Sequence, residues 1–183
     1  MLQEAAFELF LENGYSGTTV EQIARRAGVS RNTFFNYFTG KNDVFWIDLD
    51  VTLDRLRGEL RVAQDHRPAI EAVRDALLTI SDELGPDRVP WALTQYSMIG
   101  DTQELQASAM TRLGSHVRVL VEFLAPRLDD PRPPLLARTA AYAAIGATVS
   151  AAQAWASAGT SRGKLRPYVE SALRPVVDGF RSL

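Results

Sequence analysis

Arg31, Asn32, Phe35 and Asn36 are spaced to share one face of a short helix that begins at Ser30. The chemistry open to that face is reading a DNA base edge. An arginine fork bonds guanine through two acceptors, an asparagine amide bonds adenine, and an aromatic ring presses on a thymine methyl. Residues suited to phosphate stand around it. Tyr37 and Lys41 follow the face. Thr18 or Thr19 precedes it at a helix start, where hydroxyl, backbone N–H and helix dipole all favour an anionic oxygen. Thr33 lies within the same stretch. From Arg25 to Asn42 there is no acid, while Arg25, Arg26, Arg31 and Lys41 are basic. The whole chain has a formal net charge of −2. A basic window in an otherwise acidic protein suits local phosphate contacts without general adhesion to polyanions; a solvated surface stretch has the same composition.

Three helices would position that face. Leu2, Ala5, Ala6, Leu9 and Phe10 recur at helical spacing. Asn13 and Gly14 end that helix, with Gly14 able to take the left-handed cap conformation. Thr18 and Glu21 form a capping box opening a second helix, whose inward face is Val20, Ile23, Ala24 and Ala27. Gly28 breaks it where a tight turn needs positive φ. Ser30 caps the third helix, which is predicted to run to about Phe38. Ile23, Ala24, Val29, Phe34 and Phe38 then meet Phe10 in a small core. A short helix, a glycine turn and a second helix make a helix-turn-helix, a unit that lays one helix in the major groove.

The remainder reads as helix throughout. A continuous fourth helix is predicted from Lys41, with Val44, Ile47 and Val51 in one apolar row and Leu49, Leu53, Leu56 and Leu60 in another. It would couple the two parts of the chain mechanically. Arg67 and Pro68 open a fifth helix, and Gly85 and Pro86 close it. A short helix covers about 90–100. A long one follows from Asp101 and Glu104, with Met110, Leu113, Val117, Leu120, Val121 and Leu124 as its stripe. The last two run from Leu135 to Ala158 and up to Phe180, the final one bent by Pro175. No β-period run or internal repeat is found. The fold class is all-α, about nine helices, with a three-helix head over 1–45 and a helical ligand-binding and dimerisation domain over 46–183. Residues 139–161 carry no charge and could span a bilayer by length. Their Ala, Ser, Thr and Gly gain little on transfer to lipid, which favours a buried helix.

Catalysis finds no footing. The chain has no cysteine, so thiolate and disulfide chemistry are excluded. His66 and His116 have no partner at metal-ligand spacing, and there is no glycine-rich phosphate loop or nucleophile elbow. No cofactor and no metal are expected. No secretory signal is visible, which makes the cytoplasm the default compartment.

Gly14, Tyr15, Thr18, Thr19, Val20, Ile23, Ala24, Ala27, Gly28, Val29, Ser30, Thr33, Phe34, Phe35, Tyr37, Phe38 and Lys41, at these fixed spacings, resemble the TetR family of bacterial regulators. The resemblance covers about the first quarter of the chain. It implies a homodimer, most often a repressor, that binds a palindromic double-stranded operator and is released by a small, largely apolar ligand. It implies that Thr19, Tyr37 and Lys41 contact phosphate and that residues between Ser30 and Asn36 contact bases. Within the family, Arg31, Thr33 to Phe35, Tyr37 and Phe38, then Lys41 to Val44 and the acids Asp48, Asp50 and Asp54, are similar to regulators of redox-cofactor (mycofactocin) gene clusters in actinobacteria. Two positions depart from the pattern. The family usually has a basic arm before the first helix, whereas this sequence starts almost inside that helix, so that contacts from such an arm are either missing or lost to a late start or trimming. Gly40 stands where the family often has serine.

The resemblance places the dimer on the last two helices. There Ala140, Ala144, Ala147 and Ala151 form a stripe of small side chains, and Leu173, Val176 and Phe180 an apolar arc. Both could face a two-fold partner, or pack inside the protomer. The resemblance implies a cavity among the middle helices, which Trp91, Tyr96, Met98, Met110, His116, Phe123, Tyr142, Gln153 and Trp155 could line for an acyl, aromatic or steroid-like effector; taken singly, each reads first as ordinary core. The competing class is an interaction protein that keeps the head only as a scaffold. Salt-dependent duplex binding separates the two.

Overall fold

A computed structural model describes residues 1–63, 67–87, 89–95, 98–99 and 101–181. His66 and Tyr96 lie outside the described residues. Among those described there are ten α-helices and no strand: α1 (Leu2–Asn13), α2 (Val20–Arg26), α3 (Arg31–Phe35), α4 (Lys41–Phe45), α5 (Ile47–Val62), α6 (Ala69–Asp82), α7 (Trp91–Thr94), α8 (Gln103–Leu124), α9 (Leu135–Ser157) and α10 (Arg166–Phe180). The all-α expectation holds.

The head forms as its pattern dictates, with local shifts. Ala5, Ala6, Leu9 and Phe10 are the buried face of α1. Gly14 has φ 72 and ψ 165, an extended mirror-image conformation rather than a left-handed helical cap. The capping box sits one residue later than predicted. Thr19 accepts from the Gln22 N–H at 3.2 Å, and the Gln22 side chain accepts from the Thr19 N–H at 2.7 Å. Thr18 is unavailable because its buried hydroxyl donates inward, 3.0 Å from the Leu9 carbonyl and 2.9 Å from that of Gly14. Gly28 makes the turn at φ 70. Ser30 caps α3, accepting from the Thr33 N–H at 3.0 Å. α3 itself ends at Phe35, short of Phe38.

The continuous fourth helix is not found. It breaks at Trp46, which has φ −107 and ψ 9. Val44, Phe45 and Trp46 are all buried, and three successive side chains cannot share one face when each residue turns the helix by about 100°. The backbone rotates at Trp46 so that all three reach the core. That core does not stop at the head. Trp91 of α7 stacks on Phe7, ring centroids 4.1 Å apart, and meets Phe45 edge-on at 5.1 Å. Leu105 of α8 is fully buried in the same cluster.

The second core joins α5, α6, α8, α9 and α10 through residues such as Leu56, Ile70, Leu77, Leu120, Leu124, Ala141, Trp155, Val169 and Leu173. α9 is long and apolar enough to cross a membrane by length and composition. Here it is a core wall, burying Ala137, Ala140, Ala141, Ala144, Ile145, Ala151 and Trp155.

Candidate DNA-reading face and ligand cavity

Phe34 anchors the reading helix. It is fully buried, packed edge-on to Phe35 at 5.5 Å and tilted to Phe38 at 5.2 Å. Fixing that one side chain turns Arg31, Asn32, Phe35 and Asn36 outward, and all four are exposed. Tyr37 beside them is 73% exposed. Arg31 lies over the Phe35 ring at 5.0 Å and pairs with Glu21 of α2 at 2.6 Å. Both partners of that pair are largely solvated, so it is weak, at about 0–1 kcal/mol. The arginine can exchange it for a base edge. Thr33 is half-buried, and its hydroxyl lies 2.8 Å from that of Ser30. Thr19 is exposed at the start of α2.

Two expected phosphate residues sit differently. Thr18 is 1% exposed. Its hydroxyl ties the end of α1 to the turn after it, so it cannot reach a phosphate. Lys41 is half-buried. Its ammonium donates to the carbonyls of Tyr15 at 2.7 Å and Thr18 at 3.0 Å, and lies over the Tyr15 ring at 4.2 Å. Burial lowers its pKa from the ordinary lysine value. Two of its three donors are used within the head; one is left for another acceptor. Burial, with the Glu104 carboxylate nearby, raises the pKa of the Tyr15 phenol.

A cavity of about 520 Å³ lies in the body, within the range of small-molecule sites. Its wall includes Leu49, Thr52 and Leu56 of α5, Leu77 and Ile80 of α6, Ala109, Met110, Leu113 and His116 of α8, and Ile145, Val149 and Gln153 of α9. Phe45 and Trp46, where α4 meets α5, also line it. Among the described lining residues there is no Lys or Arg, and Asp48 is the one acid. His116 is buried, with Nδ1 2.9 Å from the Arg112 carbonyl and Nε2 3.1 Å from the Thr52 hydroxyl. Burial lowers its pKa below the ordinary 6.5, so the ring is neutral at pH 7.

Of the nine residues expected to line a cavity, Met110, His116 and Gln153 do. The others described do not. Trp91 and Met98 pack in the head cluster. Phe123 lies under the Arg127 guanidinium at 4.2 Å. Tyr142 is 59% exposed. Trp155 is fully buried in the body core and donates to the Gly163 carbonyl at 2.9 Å. Aromatic type does not single out the walls of this cavity, because large rings fill cores as readily as they line voids. The cavity residues missed are mostly Leu, Ile, Val and Ala, whose types carry no signal of an adjacent void.

Comparisons with known proteins agree with this arrangement. A family profile described as bacterial regulatory proteins, tetR family, matches residues 2–45, and one described as MftR C-terminal domain matches residues 67–181. A protein named as a mycofactocin biosynthesis transcriptional regulator, MftR, of Mycobacterium tuberculosis is 31% identical over 156 residues, covering 84% of this chain and 77% of its own. The chain belongs to the TetR family. It is a DNA-binding transcriptional regulator of that family, with an MftR-type C-terminal domain. Two solved structures share the fold. FadR of Thermus thermophilus, a TetR-family repressor in complex with lauroyl-CoA, has a TM-score of 0.63 at 24% identity and covers 97% of this chain and 92% of that one. FadR of Bacillus subtilis, in complex with stearoyl-CoA, has a TM-score of 0.63 at 21% identity and covers 97% of each.

In this TetR-family chain the alanine stripe is not a free face. Ala140, Ala144 and Ala151 are buried within the protomer, as is Leu173, while Ala147, Val176 and Phe180 are half-buried against the same core. The stripe lets α9 approach its own neighbours α8 and α10. The outward face of α9 carries Leu135, Tyr142, Gly146, Ser150 and Ala154 instead.

One charged cluster between α4, α5 and α8 had no sequence signal. Arg112 of α8 reaches Asp43 of α4 at 2.9 Å and both carboxylate oxygens of Asp50 of α5, at 2.8 and 3.1 Å. It also donates to Ser108. Asp43 in turn accepts from the Thr39 N–H at 2.8 Å and from its hydroxyl. Burial alone would raise the Asp43 pKa, but the Thr39 and Arg112 hydrogen bonds hold it below the ordinary value.

Proposed function

We propose that the protein is a homodimeric repressor that reads a palindromic operator and is released from it by a small, largely apolar ligand. Arg31, Asn32, Phe35 and Asn36 contact bases, with Ser30 and Thr33 at the head of the same helix, and Thr19 and Tyr37 contact phosphate. The observation that carries the reading is the position of Phe45 and Trp46: they join head to body and also line the cavity. A ligand there touches the joint itself, and can favour one head position over another by its differential contacts.

The walls suit an acyl chain, and the FadR complexes with lauroyl-CoA and stearoyl-CoA support an acyl thioester as the effector. An aromatic ligand is the alternative occupant. The dimer uses the outward face of α9. Tyr142 and Leu135 are large apolar groups in solvent there. A Cβ added at Gly146 meets no atom within 4 Å in the protomer, so close approach of a second copy gives that mid-helix glycine a purpose. A duplex-reading role places the protein in the cytoplasm.

The test is an operator selected from random duplex, titrated by fluorescence anisotropy with and without stearoyl-CoA. Affinity falls steeply with salt, as counterions are released, and weakens more than tenfold at saturating stearoyl-CoA. Tyr142→Glu sediments as a monomer and loses operator affinity. A selection that enriches no duplex contradicts DNA reading. Tight stearoyl-CoA binding with operator affinity unchanged contradicts release.

A further inference from the structure

The break at Trp46 raises a mechanical problem. α5 lines the cavity, but it is not continuous with α4, which packs into the head against α1. Helical continuity cannot carry a displacement of α5 into α4. The helix that runs uninterrupted past both is α8. Its first turn inserts Leu105 into the head core. Its third and fourth turns make two cross-links at successive levels. Nearer the head, Arg112 grips Asp43 before the break and Asp50 after it. One turn further on, His116 meets Thr52, and both line the cavity. The two levels are tied together: the neutral His116 ring donates its Nδ1–H to the Arg112 carbonyl, which leaves Nε2 to accept the Thr52 hydroxyl proton.

We propose that Arg112 is the positioning residue that joins α4 to α5 across the break at Trp46, and so transmits occupancy of the cavity to the reading head. This rests on the ligand-release reading above. The Arg112 guanidinium is largely buried, with 16% of its side chain exposed, and Asp43 is nearly as enclosed at 21%. The bond to Asp43 is single and enclosed, whereas the two-bond fork is made to Asp50, whose side chain is 47% exposed; the fork fixes geometry in a way that a single surface pair does not. A ligand that parts Thr52 from His116 shifts α5 against α8. Arg112 then either drags Asp43 along with Asp50 or must release one of them. In both cases α4, and α1 packed on it, changes position.

The test needs no identified ligand. Ala152→Trp fills the cavity from α9 and stands in for an occupant; Thr148→Phe is a second filler should Ala152→Trp not fold. Each filler is combined with Arg112→Met and, separately, with Arg112→Lys, and affinity for the selected operator is measured for every member of the cycle. Circular dichroism and thermal melting confirm that each is folded. The expected result is that filling the cavity weakens operator binding at least tenfold in the parent protein. In the Arg112→Met background the same filling changes binding less than twofold. In the Arg112→Lys background, where one of the two ion pairs is kept, the change is intermediate. A residue that merely stabilised the fold would shift affinity equally with the cavity open or filled. An equal loss on all backgrounds therefore overturns the role of Arg112 and leaves the ligand-release reading standing. No effect of either filler in the parent protein overturns that reading, and the coupling with it.

Discussion

The head and the body are both helical bundles, yet they differ in where their working parts lie. The head works through an outward face. Its chemistry belongs to side chains that protrude, and a single buried phenylalanine, Phe34, aims them. The body works through a void. Its chemistry belongs to the shape left between α5, α6, α8 and α9, lined by side chains no different in kind from those filling the core next to it. A protruding face is specified by a few consecutive residues. A void is specified by every helix around it.

The difference is sharpest at the residues with the largest expected effects. Phe34→Ala removes the anchor of the reading helix. It should cost about 3–5 kcal/mol, as truncation of a buried aromatic does, and abolish duplex binding, read by urea unfolding and anisotropy together. Loss of duplex binding without loss of stability would mean that Phe34 acts at the DNA and not beneath it. Lys41→Met comes next. It removes charged hydrogen bonds to the Tyr15 and Thr18 carbonyls, at about 1.5–3 kcal/mol. If the remaining donor also reaches a phosphate, the salt slope of operator binding falls by about 1; an unchanged slope makes Lys41 a structural tie alone.

The smallest effect belongs to the body. His116 has a pKa lowered by burial, so below about 6.5 the unfolded chain binds a proton that the folded one refuses. Its contribution is therefore constant above that pH and declines as pH falls towards the lower folded value. Urea midpoints at pH 7 and pH 5 should differ in the parent protein, and His116→Gln should narrow the difference. A difference left unchanged in His116→Gln would place the titrating group elsewhere.

The same contrast explains what could be read from the sequence. The helix-turn-helix was legible because its rules are local: Ser30 caps, Gly28 turns, and Phe34 faces inward, all within seven residues. Local rules also had local failures. Thr18 and Thr19 are equivalent on paper, and only the positions of the Leu9 and Gly14 carbonyls decide which one caps. The break at Trp46 was hidden because an uninterrupted apolar row is good helix pattern; what interrupts it is the shared demand of Val44, Phe45 and Trp46 for one core. In the body, periodicity gave the helices but not their partners. The alanines of α9 promised a close neighbour without saying whether it is α10 or a second chain. Arg112 lies 69 and 62 positions from Asp43 and Asp50, a pairing that no short-range pattern contains.

What joins the two regions is the claim that filling the void moves the face. The absence of cysteine allows a direct measurement. A single Asn32→Cys places one spin label on each reading helix of the dimer, and pulsed electron paramagnetic resonance gives the distance between the two copies in solution. Without ligand the distribution should include separations that allow the helices to enter successive major grooves, roughly 34 Å apart. Saturating stearoyl-CoA should move it to a separation that does not. A distance distribution unaltered while stearoyl-CoA is bound, or no pair distance at all, contradicts the coupling of cavity to head.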